Sequence, residues 1–132
     1  MCIRDSNFRM PNLNAALGCA QIEKLGGLLL KKRQLFNLYN DAFEGISKVK
    51  LIKEPKDCSS NYWLQTLKLD ESVLGIRNEL LEETNKAGIM TRPVWTLLPD
   101  LKPFVNFPRA PTPIAENLAK RLINIPSSAF LS

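Results

Sequence analysis

Apolar residues recur at Leu28, Leu35, Leu38, Tyr39, Ala42, Phe43 and Ile46, mainly three and four positions apart, which predicts a helix with one buried face over residues 28–46. The opposite face carries Lys31, Lys32, Gln34, Asn37 and Asp41, and the dense run Lys31-Lys32-Arg33 reads as solvated helix surface. The segment before it is built differently. Residues 12–25 follow Pro11, with Asn12 as the expected N-cap, and carry Ala15, Ala16, Gly18, Cys19 and Ala20 on nearly every face. Such small side chains let another backbone approach closely, so this helix belongs between packed elements or between subunits. Gly18 inside it costs about 1 kcal/mol relative to alanine, and close packing is the usual compensation. Gly26-Gly27 predicts a break or sharp bend between the two helices.

Further on, residues 48–53 predict a short strand with Val49 and Leu51 inward, ended by Pro55, and residues 62–69 predict a stronger one. The period returns to helical over residues 73–87, and Gly88 stands where a left-handed residue closes a helix. Residues 89–94 predict a third strand, and Pro93 excludes it from a central ladder position because proline has no N–H to donate. Five prolines between residues 97 and 113 predict an ordered loop anchored by Phe104 and Phe107. A last helix over 114–121 and a closing strand at Ile123 and Ile125 complete an α+β layer of helices over a small sheet.

A length of 132 residues allows one domain, and a compact chain of this size buries roughly two-thirds of its unfolded surface. Net charge is +5, without a long basic run or the aromatic interleaving of a nucleic-acid stripe, and it suits an anionic small-molecule substrate. Three cysteines without C-x-x-C spacing indicate neither a disulfide framework nor a zinc site, which points to a reducing cytoplasm. With no histidine in the chain, Ser-His and Cys-His nucleophiles and histidine metal sites are excluded from it. No apolar run reaches the ~18 residues that read as a membrane-spanning helix.

The polar loop Asn7-Phe8-Arg9-Met10-Pro11 leading into the small-residue helix, the blocks Ser60-Asn61-Tyr62-Trp63-Leu64 and Thr91-Arg92-Pro93-Val94-Trp95, and the ending Arg121-Leu122-Ile123-Asn124-Ile125-Pro126 stand in a familiar order. Together they resemble the DegT/DnrJ/StrS family of PLP-dependent sugar aminotransferases. The Arg-Pro-Val-Trp version is most similar to the branch that aminates UDP-linked 4-keto-6-deoxy sugars of the legionaminic-acid type. Leu98-Pro99-Asp100 departs from the Leu-His pair of many relatives, which removes a histidine contact to substrate.

That resemblance implies a division of the chain. Residues 1–6 do not fit the family pattern and read as a non-native leader, residues 7–46 as the loop and linking helices at the end of a large domain, and residues 47–132 as the small C-terminal α+β domain of a fold type I transferase. The lysine that binds pyridoxal 5'-phosphate (PLP) as a Schiff base would lie upstream, since Lys24, Lys31, Lys32 and Lys53 lack its setting. The resemblance implies no catalytic residue here, but it places Asn7 on the cofactor phosphate of the neighbouring subunit and Arg9, Arg92 and Trp95 toward the substrate. On their residue types alone, Asn7 can equally cap its own loop, Arg9 can pair with an acid of the large domain, and Trp63 and Trp95 can be core aromatics. The implied activity is transfer of an amino group, from glutamate, to a nucleotide-linked 4-keto-6-deoxy sugar by a cytoplasmic homodimer with shared active sites, without nucleic acid, membrane or metal, the isolated piece being inactive. A free-standing, non-catalytic α+β binding or regulatory domain is the alternative from another class.

Overall fold

The computed structural model describes residues 10–131. One helix, α1 (Asn12–Phe43), replaces the expected pair: its 32 residues run without a break through Gly26-Gly27, a rod of roughly 48 Å. Two glycines cost about 2 kcal/mol of helix propensity together, too little to interrupt a helix this long once one end is packed. Nor does Asn12 cap it. Pro11, extended at φ −60° and ψ 151°, is the N-cap residue without a side-chain bond, and its carbonyl accepts from Ala15 N–H at 3.0 Å.

Beyond α1 come β1 (Val49–Leu51), β2 (Gln65–Leu69), a 3-10 turn (Glu71–Ile76), α2 (Arg77–Lys86), β3 (Arg92–Pro93), a second 3-10 turn (Leu98–Asp100), α3 (Pro113–Ala119) and β4 (Leu122–Ile125). The strands form one antiparallel sheet in the order β1-β2-β4-β3. Pro93 therefore lies on an edge strand, as its missing donor requires. Strand β3 covers only two of the residues expected to be extended, and α2 is closed two residues past its end by Gly88, whose φ of 80° no L-residue adopts cheaply.

Register decides what each sheet face presents. Val49, Leu51, Gln65, Leu67, Leu69, Ile123 and Ile125 share the face covered by helices, whereas Lys50, Thr66, Lys68, Asn124 and Arg92 share the other. Phe36, Tyr39 and Phe43 of α1 and Leu80 and Leu81 of α2 pack on the apolar face around Leu69 and Ile123. At the far end Arg121 is buried, donating from Nε to Leu69 O at 2.8 Å and from Nη1 to Glu71 Oε1 at 2.6 Å and Asn117 Oδ1 at 2.9 Å, so a single guanidinium ties β2, the 3-10 turn and α3 together.

The first half of α1 takes no part in this. Of residues 12–27 all but Ala15 and Gly18 are exposed, including Leu13, Leu17, Ile22 and Leu25. Phe104 and Phe107 do not anchor their loop in a core either: both are exposed and tilt against each other with centroids 6.3 Å apart. An Arg109–Asp100 ion pair at 2.8 Å spans that loop instead. The total accessible surface is 10510 Å², against about 7,000 Å² for a compact 14.9 kDa chain. Folding thus buries about half of the unfolded surface instead of the expected two-thirds.

Candidate functional site

Asn7 and Arg9 lie outside the described residues. Arg92 and Trp95 are both exposed. Arg92 pairs in register with Asn124, whose Oδ1 accepts from Thr66 Oγ1 at 2.8 Å, and this row lies on the sheet face opposite α1. Among the described residues Arg92 has no hydrogen-bonding, ionic or cation–π partner, so its guanidinium is available to an anion. Trp95, two residues past the end of β3, stacks on Trp63 with ring centroids 5.9 Å apart and planes inclined by 30°. The two indoles are 70% and 64% exposed, which removes them from the core.

Trp63 sits where the chain enters β2, at the end of a loop that α1 holds in place. Arg33 forms a two-pronged ion pair with Glu54, from Nη1 to Oε1 at 3.0 Å and Nη2 to Oε2 at 3.2 Å, and also reaches Ser59 Oγ at 2.8 Å and Ser60 O at 3.1 Å. Glu54 accepts in addition from Ser60 N–H at 2.6 Å. The Arg33 bond, followed by the Ser60 amide, holds the Glu54 carboxyl below its ordinary range, and the bond to Glu54 in turn pushes the Arg33 guanidinium upward. Tyr62 is buried, stacks on Phe36 at 4.2 Å and has φ of 45°, a left-handed conformation that costs a non-glycine residue roughly 1–2 kcal/mol. That turn sends the next residue, Trp63, outward.

Lys32 completes the arrangement. Its Nζ donates to Trp63 O at 3.1 Å and to Ser127 O, and Ser127 Oγ donates to the same Trp63 carbonyl at 2.9 Å. The C-terminal segment is held further by Tyr39 Oη on Pro126 O at 2.9 Å and by the Lys31 ammonium 5.4 Å from the Phe130 ring centre. Lys31-Lys32-Arg33 is therefore not a purely solvated face, because Lys32 and Arg33 reach back to distant loops. Desolvation lowers the pKa of Lys32 and raises that of Tyr39.

What these groups can do is bind and orient. Among the described residues the one lysine–carboxylate ion pair, Lys86–Glu83, is an exposed pair within α2, and no group of three or more His, Cys, Asp or Glu residues could hold a metal. A 310 Å³ cavity between α1, α2 and the sheet is lined by Tyr39, Leu67, Leu80 and Ile125. Two further lining residues, Thr84 and Thr91, have their hydroxyls bonded to each other at 2.6 Å, so the space is an underfilled core without a free hydroxyl. No described helix is long and apolar enough to cross a membrane.

Residues 3–132 match the DegT/DnrJ/EryC1/StrS aminotransferase family. The chain is 33% identical over 128 residues to GDP-perosamine synthase of Escherichia coli O157:H7, covering 96% of this chain and 33% of that protein. Its structure superposes on Helicobacter pylori PseC, an aminotransferase involved in the biosynthesis of pseudoaminic acid, with a TM-score of 0.86 at 25% identity, covering 96% of this chain and 34% of the other. A sugar aminotransferase-like protein of Streptococcus pneumoniae, Spr1654, solved in a PLP form, superposes with a TM-score of 0.85 at 24% identity over 94% of this chain and 32% of that one. The chain thus spans about a third of the length of the curated relatives it matches.

Proposed function

Because the chain belongs to the DegT/DnrJ/EryC1/StrS aminotransferase family, we propose that it is the C-terminal third of a PLP-dependent enzyme that moves an amino group, from glutamate, to a nucleotide-linked 4-keto-6-deoxy sugar. The observation that carries this reading is the match over residues 3–132, aligned to a third of each relative. Residues 7–46 end the large domain in this reading and residues 47–132 form the small one. The surplus of exposed surface and the bare first half of α1 agree with a chain whose packing partners lie in the other two-thirds and in a second subunit.

PLP, when bound, supplies the electron sink that lets an amino group leave one carbon and join another. This chain's share is to hold ligands. Asn7 gives an uncharged amide donor to the cofactor phosphate across the dimer; Arg9 and Arg92 give guanidinium groups to anionic parts of the substrate; Trp95 gives an apolar face to the 6-methyl side of the sugar ring. What supports the reading of Arg92 and Trp95 as substrate contacts is that Arg92 has no partner among the described residues and that Trp95 is exposed on a stacked pair.

The test is expression with the upstream reading frame. The long protein should bind PLP, convert it to the amine form with glutamate and pass the amino group to a UDP-linked 4-keto-6-deoxy sugar, while the 132-residue chain alone should do none of these. Turnover by the isolated chain, or an upstream region carrying no aminotransferase domain, overturns the proposal and favours a free-standing domain.

A further inference from the structure

Trp63 combines a backbone held on both sides with a side chain that fills no core. Its N–H donates to Asn61 Oδ1 at 3.0 Å and its carbonyl accepts from Ser127 Oγ and from Lys32 Nζ, yet the residue is 64% exposed. Tyr62, buried and left-handed, turns the chain just before Trp63, whose indole is exposed and meets Trp95. Lys32 brings its ammonium partly out of water to join two carbonyls 64 residues apart in sequence. A surface lysine with no task stays hydrated.

We propose that Trp63 joins Trp95 in holding the ring of the nucleotide-linked sugar, and that Lys32 is the positioning residue that sets the Trp63 indole for this contact by gripping the carbonyls of Trp63 and Ser127. Stacked with 30° between their planes, the two indoles back one another, so that the pair holds an outer face as an apolar platform for the C–H face of a deoxysugar. Lys32, which bonds the Trp63 carbonyl, already has two carbonyl partners and so serves the backbone here, not a phosphate. The inference rests on the functional reading above.

The test uses the full-length enzyme with Trp63→Leu, Trp63→Phe, Lys32→Met and Lys32→Arg. KM for the keto sugar should rise about tenfold in Trp63→Leu and roughly threefold in Trp63→Phe and Lys32→Met, with kcat within about twofold of wild type. Lys32→Arg, which keeps a charged donor, should restore most of the loss. The glutamate half-reaction, followed by cofactor absorbance, should be unchanged throughout, which separates a sugar contact from a general loss of structure. The near-ultraviolet circular dichroism that Trp63→Phe removes isolates this indole's signal, and Lys32→Met should diminish it. An unchanged KM in Trp63→Leu overturns the sugar contact, as does a parallel fall in the glutamate half-reaction. An unchanged indole signal in Lys32→Met overturns the positioning role. A wild-type enzyme that accepts glutamate but aminates no nucleotide-linked keto sugar overturns the functional reading, and this inference with it.

Discussion

The two halves of α1 share one backbone and almost nothing else. From Leu28 onward the helix buries Leu35 to 3% exposure, lays Phe36, Tyr39 and Phe43 on the sheet and sends Lys32 and Arg33 to loops up to 95 residues away in sequence. Before Gly26 it shows Leu13, Leu17 and Ile22 to solvent at 61–81% exposure and makes no described side-chain bond. A helix of small residues with isolated leucines is poorly suited to water. One continuous rod is thus packed along one half and bare along the other.

The largest effect that tests this contrast is truncation of a leucine in each half. Leu35→Ala should destabilise the 132-residue chain by about 2–5 kcal/mol, and Leu17→Ala by less than about 0.5 kcal/mol, read from urea unfolding. Equal losses would mean that the first half already has a partner, for instance another copy of the chain. Next, Arg33→Ala removes the bonds to Glu54, Ser59 and Ser60. With the pair partly exposed and screened, it should lower stability far less than Leu35→Ala does and speed hydrogen exchange at Ser60 without unwinding α1.

Gly18 sharpens the comparison in the opposite direction. A Cβ built there meets nothing within 4 Å, so Gly18→Ala should stabilise the isolated chain by about 0.5–1 kcal/mol. In the full-length dimer proposed above, in which close packing would replace water at Gly18, the same change should lower stability. A gain in both would show that no backbone approaches this face.

The smallest effect is one of pH. Glu54 and Asp70 both have lowered pKa values, Glu54 through Arg33 and the Ser60 amide, Asp70 through the Ser72 amide and hydroxyl. The unfolded chain then binds more protons than the folded one as the pH falls through the carboxylate range. Their stabilisation is complete above the ordinary carboxylate pKa and is lost as pH falls through the lowered values. Acid titration should release the Ser60 and Ser72 amides before the core melts, measured by amide exchange; simultaneous release with the core amides would contradict this.

Periodicity made the packed half of the molecule legible. Leu35, Tyr39 and Phe43 were identifiable as helix face, Leu67 and Leu69 as strand, and Gly88 as a helix terminator, because each follows from local spacing. The continuity of α1 was not, since a glycine pair looks the same whether or not distant packing overrides its modest cost. Leu38 falls on the predicted buried stripe and is 57% exposed, at the edge of what one small sheet can cover. The partners of Lys32 and Arg33 are backbone carbonyls, a serine hydroxyl and a glutamate brought close only by the fold, and no spacing rule reaches across such separations. Likewise, Trp63 and Trp95 each look like core residues alone; only their joint exposure marks them as a surface feature.

The sheet's two borders carry one further consequence. β1 is three residues long with Lys50 at its centre, and β3 is two residues long with Pro93 as its second. A neighbouring strand seeking to extend the sheet would meet a charged side chain on one border and a missing N–H on the other. Cross-β polymerisation through these borders is thereby discouraged, so any self-association of the separated chain should proceed through the leucines of α1 and yield helical, dispersible oligomers instead of fibrils.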